Sequence, residues 1–120
     1  MKVVVVDDEK DVQILFEQKF RREKRKGMID FQFLFSGEEA LEYLRNTDIS
    51  GIHLILSDIN MPGMNGLELL KTIRDEFASI KVIIITAYGN DNYYQKAMEY
   101  GADGFITKPL DFEELKNSFS

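Results

Sequence analysis

The chain has 120 residues, enough for one domain with a real core, and 44% of them are hydrophobic. A net charge of −6 argues against nucleic-acid binding by the domain itself, and the lack of cysteine excludes a disulfide framework or a thiolate metal site. No apolar run approaches the ~20 residues of a membrane span. The four valines at 3–6 are too short for a signal-peptide core, so the expected location is the cytoplasm.

Val3–Val6 is a β-branched run closed by acids, the pattern of a fully buried strand. Glu9 to Lys26 is predicted as one helix with Val12, Leu15, Phe16 and Phe20 on its apolar face and Gly27 as its stop. FQFLF (31–35) is the second strand. Ser36 and Glu39 form a capping box for a helix that turns Ala40, Leu41 and Leu44 inward. After a loop at 46–51, the third strand centres on Leu54–Ser57, with His53 interrupting its apolar run. Leu67, Leu70, Ile73 and Phe77 mark the third helix, and KVIIIT (81–86) the fourth strand. Asp91 to Tyr100 is the fourth helix, with Ala97 and Met98 inward and Gly101 at its end. GFIT (104–107) is the fifth strand. Lys108-Pro109 breaks it, and Asp111 caps a last helix carrying Phe112, Leu115 and Phe119.

Five βα units without a linker or composition break imply one α/β domain, a parallel sheet with helices on both faces. Such sheets bind ligands beyond the carboxyl ends of their strands, at the switch point in strand order. In a doubly wound sheet of the known order 2-1-3-4-5, strands one and three flank that point. Asp7 and Asp8 end strand one, Asp58 ends strand three, Thr86 strand four and Lys108 strand five. Three carboxylates would converge beside a hydroxyl and an ammonium.

Carboxylates packed together repel, and a divalent cation is the usual remedy. Oxygen donors alone suit Mg²⁺ better than Zn²⁺. A carboxylate can also be a phosphoryl nucleophile, with cation and lysine stabilising charge on the transferring group. Asp58 is the candidate nucleophile because it stands alone on a central strand; the paired Asp7 and Asp8 are the candidate metal holders.

VVVVDDE, DINMPGMNG, TAYG and FITKP, in this order and spacing, resemble the receiver domain of two-component response regulators. The resemblance covers nearly the whole chain and implies the flavodoxin-like (βα)5 three-layer sandwich. It implies that Asp58 is the phosphoacceptor, fed by a histidine kinase or phosphotransfer protein. Mg²⁺ (or Mn²⁺) would be held by Asp8, Asp58 and the backbone carbonyl of Asn60, with Asp7 acting through water. Lys108 would contact the phosphoryl group, Thr86 would move toward it, and Phe105 would change rotamer with Thr86. Asn60 and Tyr88 would tune the lifetime of the acyl phosphate, and the Lys108–Pro109 bond would be cis. The domain would modify itself and lose the phosphoryl group slowly, rather than turn over a substrate. The loop after the fourth strand would shift with it. So would the face of the fourth helix, fifth strand and fifth helix, which commonly mediates dimerisation or output contacts. Residues 1–120 would form a single receiver. Either a further domain follows the abrupt end at Ser120 or the last helix is naturally short.

Read singly, each residue has an ordinary explanation. Asp7-Asp8 can cap a helix, Asp58 can sit in a turn, Thr86 can end a strand, and Lys108 can be a solvated loop lysine. RREKRK (21–26) reads as a solvated helix end whose cations complement the dipole. Rival functions fit less well. A haloacid-dehalogenase-like phosphatase needs an acid where this chain has Asn60. A flavin carrier needs a phosphate loop where this chain has DDEKD. A pseudo-receiver would lack residues that are all present here.

Overall fold

Alternation along the strands decides the architecture. Val3, Val5, Leu54, Leu56, Ile83 and Ile85 are buried on one side of the sheet, and Val4, Val6, Ile55, Val82 and Ile84 on the other. A sheet apolar on both faces must be covered on both. The computed structural model describes residues 1–77, 79–87 and 91–119, apart from the side chain of Ser118.

The elements run β1 (Lys2–Val6), α1 (Asp11–Lys19), α2 (Arg21–Arg25), β2 (Asp30–Leu34), α3 (Gly37–Arg45), a 3-10 turn (Ile49–Gly51), β3 (Ile52–Asp58), α4 (Gly66–Glu76), β4 (Val82–Thr86), α5 (Asp91–Glu99), β5 (Gly104–Thr107) and α6 (Phe112–Ser118). All pairings are parallel and the order is β2-β1-β3-β4-β5, the predicted doubly wound sheet. Helices α3, α4 and α5 cover one face through Leu41, Leu44, Leu70, Ile73 and Ala97. Helices α1 and α6 cover the other through Phe16 and Leu115, with Phe20, Phe31, Phe33 and Phe112 joined in edge and stacked contacts.

The structure departs from the predicted elements in four places. The single helix from Glu9 to Lys26 is two. Phe20 leaves helical backbone at φ −109°, ψ 19° and buries its ring against Phe16 and Phe31. Residues 21–26 have no apolar side chain to hold them on the sheet, and no residue of α2 is buried. The apolar face of α1 is also narrower than predicted: Phe16 and Phe20 are buried, while Leu15 is 39% exposed because the buried line follows i, i+4 alone. Met98, predicted inward, is 43% exposed beside the fully buried Ala97. His53 does not interrupt the third strand. Lys2 pairs with Ile52 and Val3 with Leu54, so His53 is the extra residue of a β-bulge and faces solvent.

Candidate functional site

The register builds the site. Val6 pairs with Ser57, which sets Asp7 beside Asp58 across the β1–β3 seam. Asp58 also pairs with Ile85, which brings the end of β4 alongside. Thr86 pairs with Thr107, and the Lys108 N–H donates to the Thr86 carbonyl at 2.8 Å. Lys108 leaves β5 at the rim and reaches back across two strands. Its Nζ lies 3.2 Å from Asp7 Oδ2 and 3.5 Å from Asp58 Oδ2. The Lys108–Pro109 peptide is cis.

Asp7 and Asp58 are buried and Asp8 is exposed, yet one carboxylate oxygen from each lies within 4.8 Å of the others. Glu9 N–H donates to Asp7 Oδ1 at 3.0 Å, and Asn60 N–H to Asp58 Oδ1 at 3.4 Å. Ser57, also buried, donates its hydroxyl to the Asp58 carbonyl at 3.0 Å. Burial raises the Asp58 carboxyl above the ordinary carboxylate range, and the Asp7 charge adds to that; Lys108 and the backbone N–H groups of Asn60 and Ile59 oppose it. For Lys108, burial works against the charged form, but Asp7 and Asp58 outweigh it and the ammonium is held above its usual value. It therefore stays protonated. Three carboxyl groups gather around one ammonium, an excess of negative charge that a divalent cation would balance. The donors are oxygen only, the set that suits Mg²⁺ or Mn²⁺.

Thr86 is fully buried at the end of β4. Phe105 is half-buried on β5, its ring edge-on to Tyr94 of α5 at 5.5 Å. Asn60 is exposed at the rim, and its backbone, rather than its side chain, meets Asp58. Tyr88 lies outside the described residues. The structure thus brings Asp7, Asp8, Asp58, Lys108 and the Asn60 backbone together, while Phe105 belongs to a neighbouring contact.

One supporting residue matters more than its sequence suggests. Gly66, the first residue of α4, is buried, and its N–H donates to the Ile59 carbonyl at 2.9 Å. A Cβ there would lie 2.0 Å from the Asp58 carbonyl oxygen and 2.8 Å from Ile59 Cα. Asn65 and Glu68 cap this helix reciprocally, so its start is fixed against the back of Asp58. This close approach depends on how the chain returns to the sheet, which no local pattern of residues marks.

Comparison with known proteins follows the same line. The family model for the response regulator receiver domain matches residues 3–120. The chain is 34% identical over 117 residues to sporulation initiation phosphotransferase F of Bacillus subtilis, covering 98% of this chain and 89% of that protein. It is 37% identical over 116 residues to response regulator ArlR of Staphylococcus saprophyticus, covering 95% of this chain but 48% of that protein. The chain thus spans about half of ArlR. Among solved structures it resembles response regulator TrrA of Thermotoga maritima, determined in complex with Mg²⁺ and BeF, at a TM-score of 0.80 and 31% identity, covering 98% of this chain and 94% of that one.

Proposed function

The chain belongs to the response regulator receiver domain family, and on that premise we propose that Asp58 is its phosphoacceptor. One observation carries this: a buried carboxylate that shares a single lysine with a second buried carboxylate, beside a third at the rim. A carboxylate oxygen of Asp58 forms the new O–P bond as the P–N bond to a donor imidazole breaks, and the imidazole leaves with the bonding electrons. The donor is a histidine kinase or a histidine phosphotransfer protein. Lys108, already charged and within reach of Asp58, offsets the charge on the incoming phosphoryl oxygens. Asp8, Asp58, Asp7 through water and the Asn60 carbonyl would hold Mg²⁺ or Mn²⁺, which supplies charge neutralisation of the phosphoryl oxygens when bound.

The raised proton affinity of Asp58 fits this role, because a carboxylate held in electrostatic conflict gains from any cation placed beside it. Transfer would draw the Thr86 hydroxyl toward the phosphoryl group and let Phe105 repack against Tyr94. The two-state element is then α5, β5 and α6, where Tyr94 and Met98 already stand exposed for an output domain or a second copy, while residues 88–90 of the loop after β4 lie outside the described residues. The domain comprises residues 1–120 and acts as a self-modifying switch in the cytoplasm. Among the described residues no helix is long and apolar enough to cross a membrane.

Titration with beryllofluoride and Mg²⁺ tests the assignment. Wild type should bind and show chemical-shift changes at Thr86 and Phe105. Binding that survives in Asp58→Asn would refute it. Turnover of a generic phosphoester would favour a phosphatase.

A further inference from the structure

The molecule gathers positive charge in one short segment. Residues 19–26 hold six cations and one acid, so they carry +5; set against the total of −6, the rest of the chain carries −11. Helix α2 lies at the end of the sheet opposite Asp58. Arg21, Arg22, Lys24, Arg25 and Lys26 are all exposed, and none takes part in the ion pairs found among the described residues. In a chain with 21 acids, leaving five neighbouring cations unanswered is a specific arrangement. Lys19, Arg21, Arg22, Arg25, Lys26 and Lys116 line one hollow of about 820 Å³.

A second hollow of about 270 Å³ adjoins it through Glu23 and Lys116. Its lining is apolar: Met1, Phe20, Met28, Ile29 and Phe119. Met28 is 59% exposed and Met1 43%. Methionine at a surface hollow adapts to varied apolar side chains.

We infer that these adjoining hollows form a docking surface for an acidic segment of a partner protein that also carries apolar side chains, its carboxylates on Arg21, Arg22 and Arg25 and its apolar residues against Met28. Arginine forks suit carboxylates bidentately. Nucleic acid fits less well. The rings nearest the cations, Phe20 and Phe112, lie under Lys116 and Lys19 and offer no open face for base stacking. A long polyanion would also run onto the −11 remainder. A planar anionic bilayer would meet that same acidic surface and could not enter a hollow. This inference does not depend on the role of Asp58.

The test uses a fluorescein-labelled synthetic peptide of Glu and Leu in helical spacing, read by anisotropy. Wild type should bind it, and added salt should weaken the binding. The triple variant R21E/R22E/R25E should lose about tenfold or more. Met28→Ser should lose about threefold while keeping the same salt dependence. Both variants should keep the circular dichroism spectrum of wild type, which reports that they fold. Should the triple variant not fold, the salt titration and Met28→Ser decide. No peptide binding, binding indifferent to charge reversal and salt, or tighter binding of an oligonucleotide of equal length or of phosphatidylserine vesicles would each overturn the inference.

Discussion

Two polar clusters, one at each end of the sheet, treat charge in opposite ways. At the end where the strands begin, Arg74 donates to the Gly101 carbonyl at 2.8 Å and to the Ile80 carbonyl, and pairs with Asp103 at 2.5 Å. The same Asp103 oxygen accepts from the Val82 N–H at 2.8 Å, so one ion pair ties α4, β4 and the turn before β5. Arg74 and Asp103 thus each meet an opposite charge and a backbone dipole. At the end where the strands finish, Asp7, Asp8 and Asp58 face one another across one lysine, and Asp58 is held against its own ionisation. Polar groups that satisfy one another stabilise a fold, whereas polar groups left in conflict await something else. The contrast marks the carboxylate cluster as a candidate site before any family is named.

The largest expected effect tests whether the conflicted end is held rigidly. Gly66→Ala places a methyl group where the Asp58 carbonyl stands, and it should cost about 3 kcal/mol or more in urea unfolding. Beryllofluoride binding should fall in whatever fraction folds. Next comes the satisfied end. Arg74→Met should cost about 2 kcal/mol, because the Ile80 and Gly101 carbonyls and Asp103 lose a charged donor. Phosphate-analogue affinity should stay within about twofold, since among the described residues no hydrogen bond or ion pair joins Arg74 or Asp103 to Asp58 or Lys108. A large loss of affinity would mean that the two ends are coupled.

The sign reverses at Asp58. Without divalent cations, Asp58→Asn should stabilise the fold by on the order of 1 kcal/mol at neutral pH, an unusual direction for a buried substitution. Folding raises the proton affinity of this carboxyl, so the folded state binds the proton more tightly than the unfolded chain does. Its contribution is complete below the ordinary carboxylate value and is lost as pH climbs through the raised value. Urea midpoints of wild type and variant should therefore converge as pH falls through that window and separate above it. Equal midpoints at every pH would remove the conflict from the account. The smallest effect concerns α1. Leu15→Ser should change stability by no more than about 0.5 kcal/mol, because Leu15 stands off the line of Phe16 and Phe20.

Much of this molecule was legible in the chain because the buried strands are β-branched or apolar runs bounded by acids and turns. Val3–Val6 and Val82–Thr86 need no tertiary context to be read as strands, and the acids at their ends follow from where the runs stop. Asp7, Asp8, Asp58 and Lys108 could be brought together because strand order and strand ends fix a rim. What escaped depends on three-dimensional paths. The break at Phe20 comes from a ring finding Phe31 on β2, not from a proline or glycine. The bulge at His53 comes from the pairing of β1 with β3. The tightness at Gly66 comes from a helix start meeting the back of a strand, and Arg74 reads as a surface cation until Asp103 is placed beside it.

The central claim is that Asp58 receives a phosphoryl group. Incubation with acetyl phosphate and Mg²⁺, reduction of the acyl phosphate with borohydride and peptide mapping would test it directly. Conversion is expected at Asp58 alone, with none in Asp58→Asn or when Mg²⁺ is chelated. Conversion at Asp7 or Asp8, or none in a folded wild-type protein that holds Mg²⁺, would contradict it.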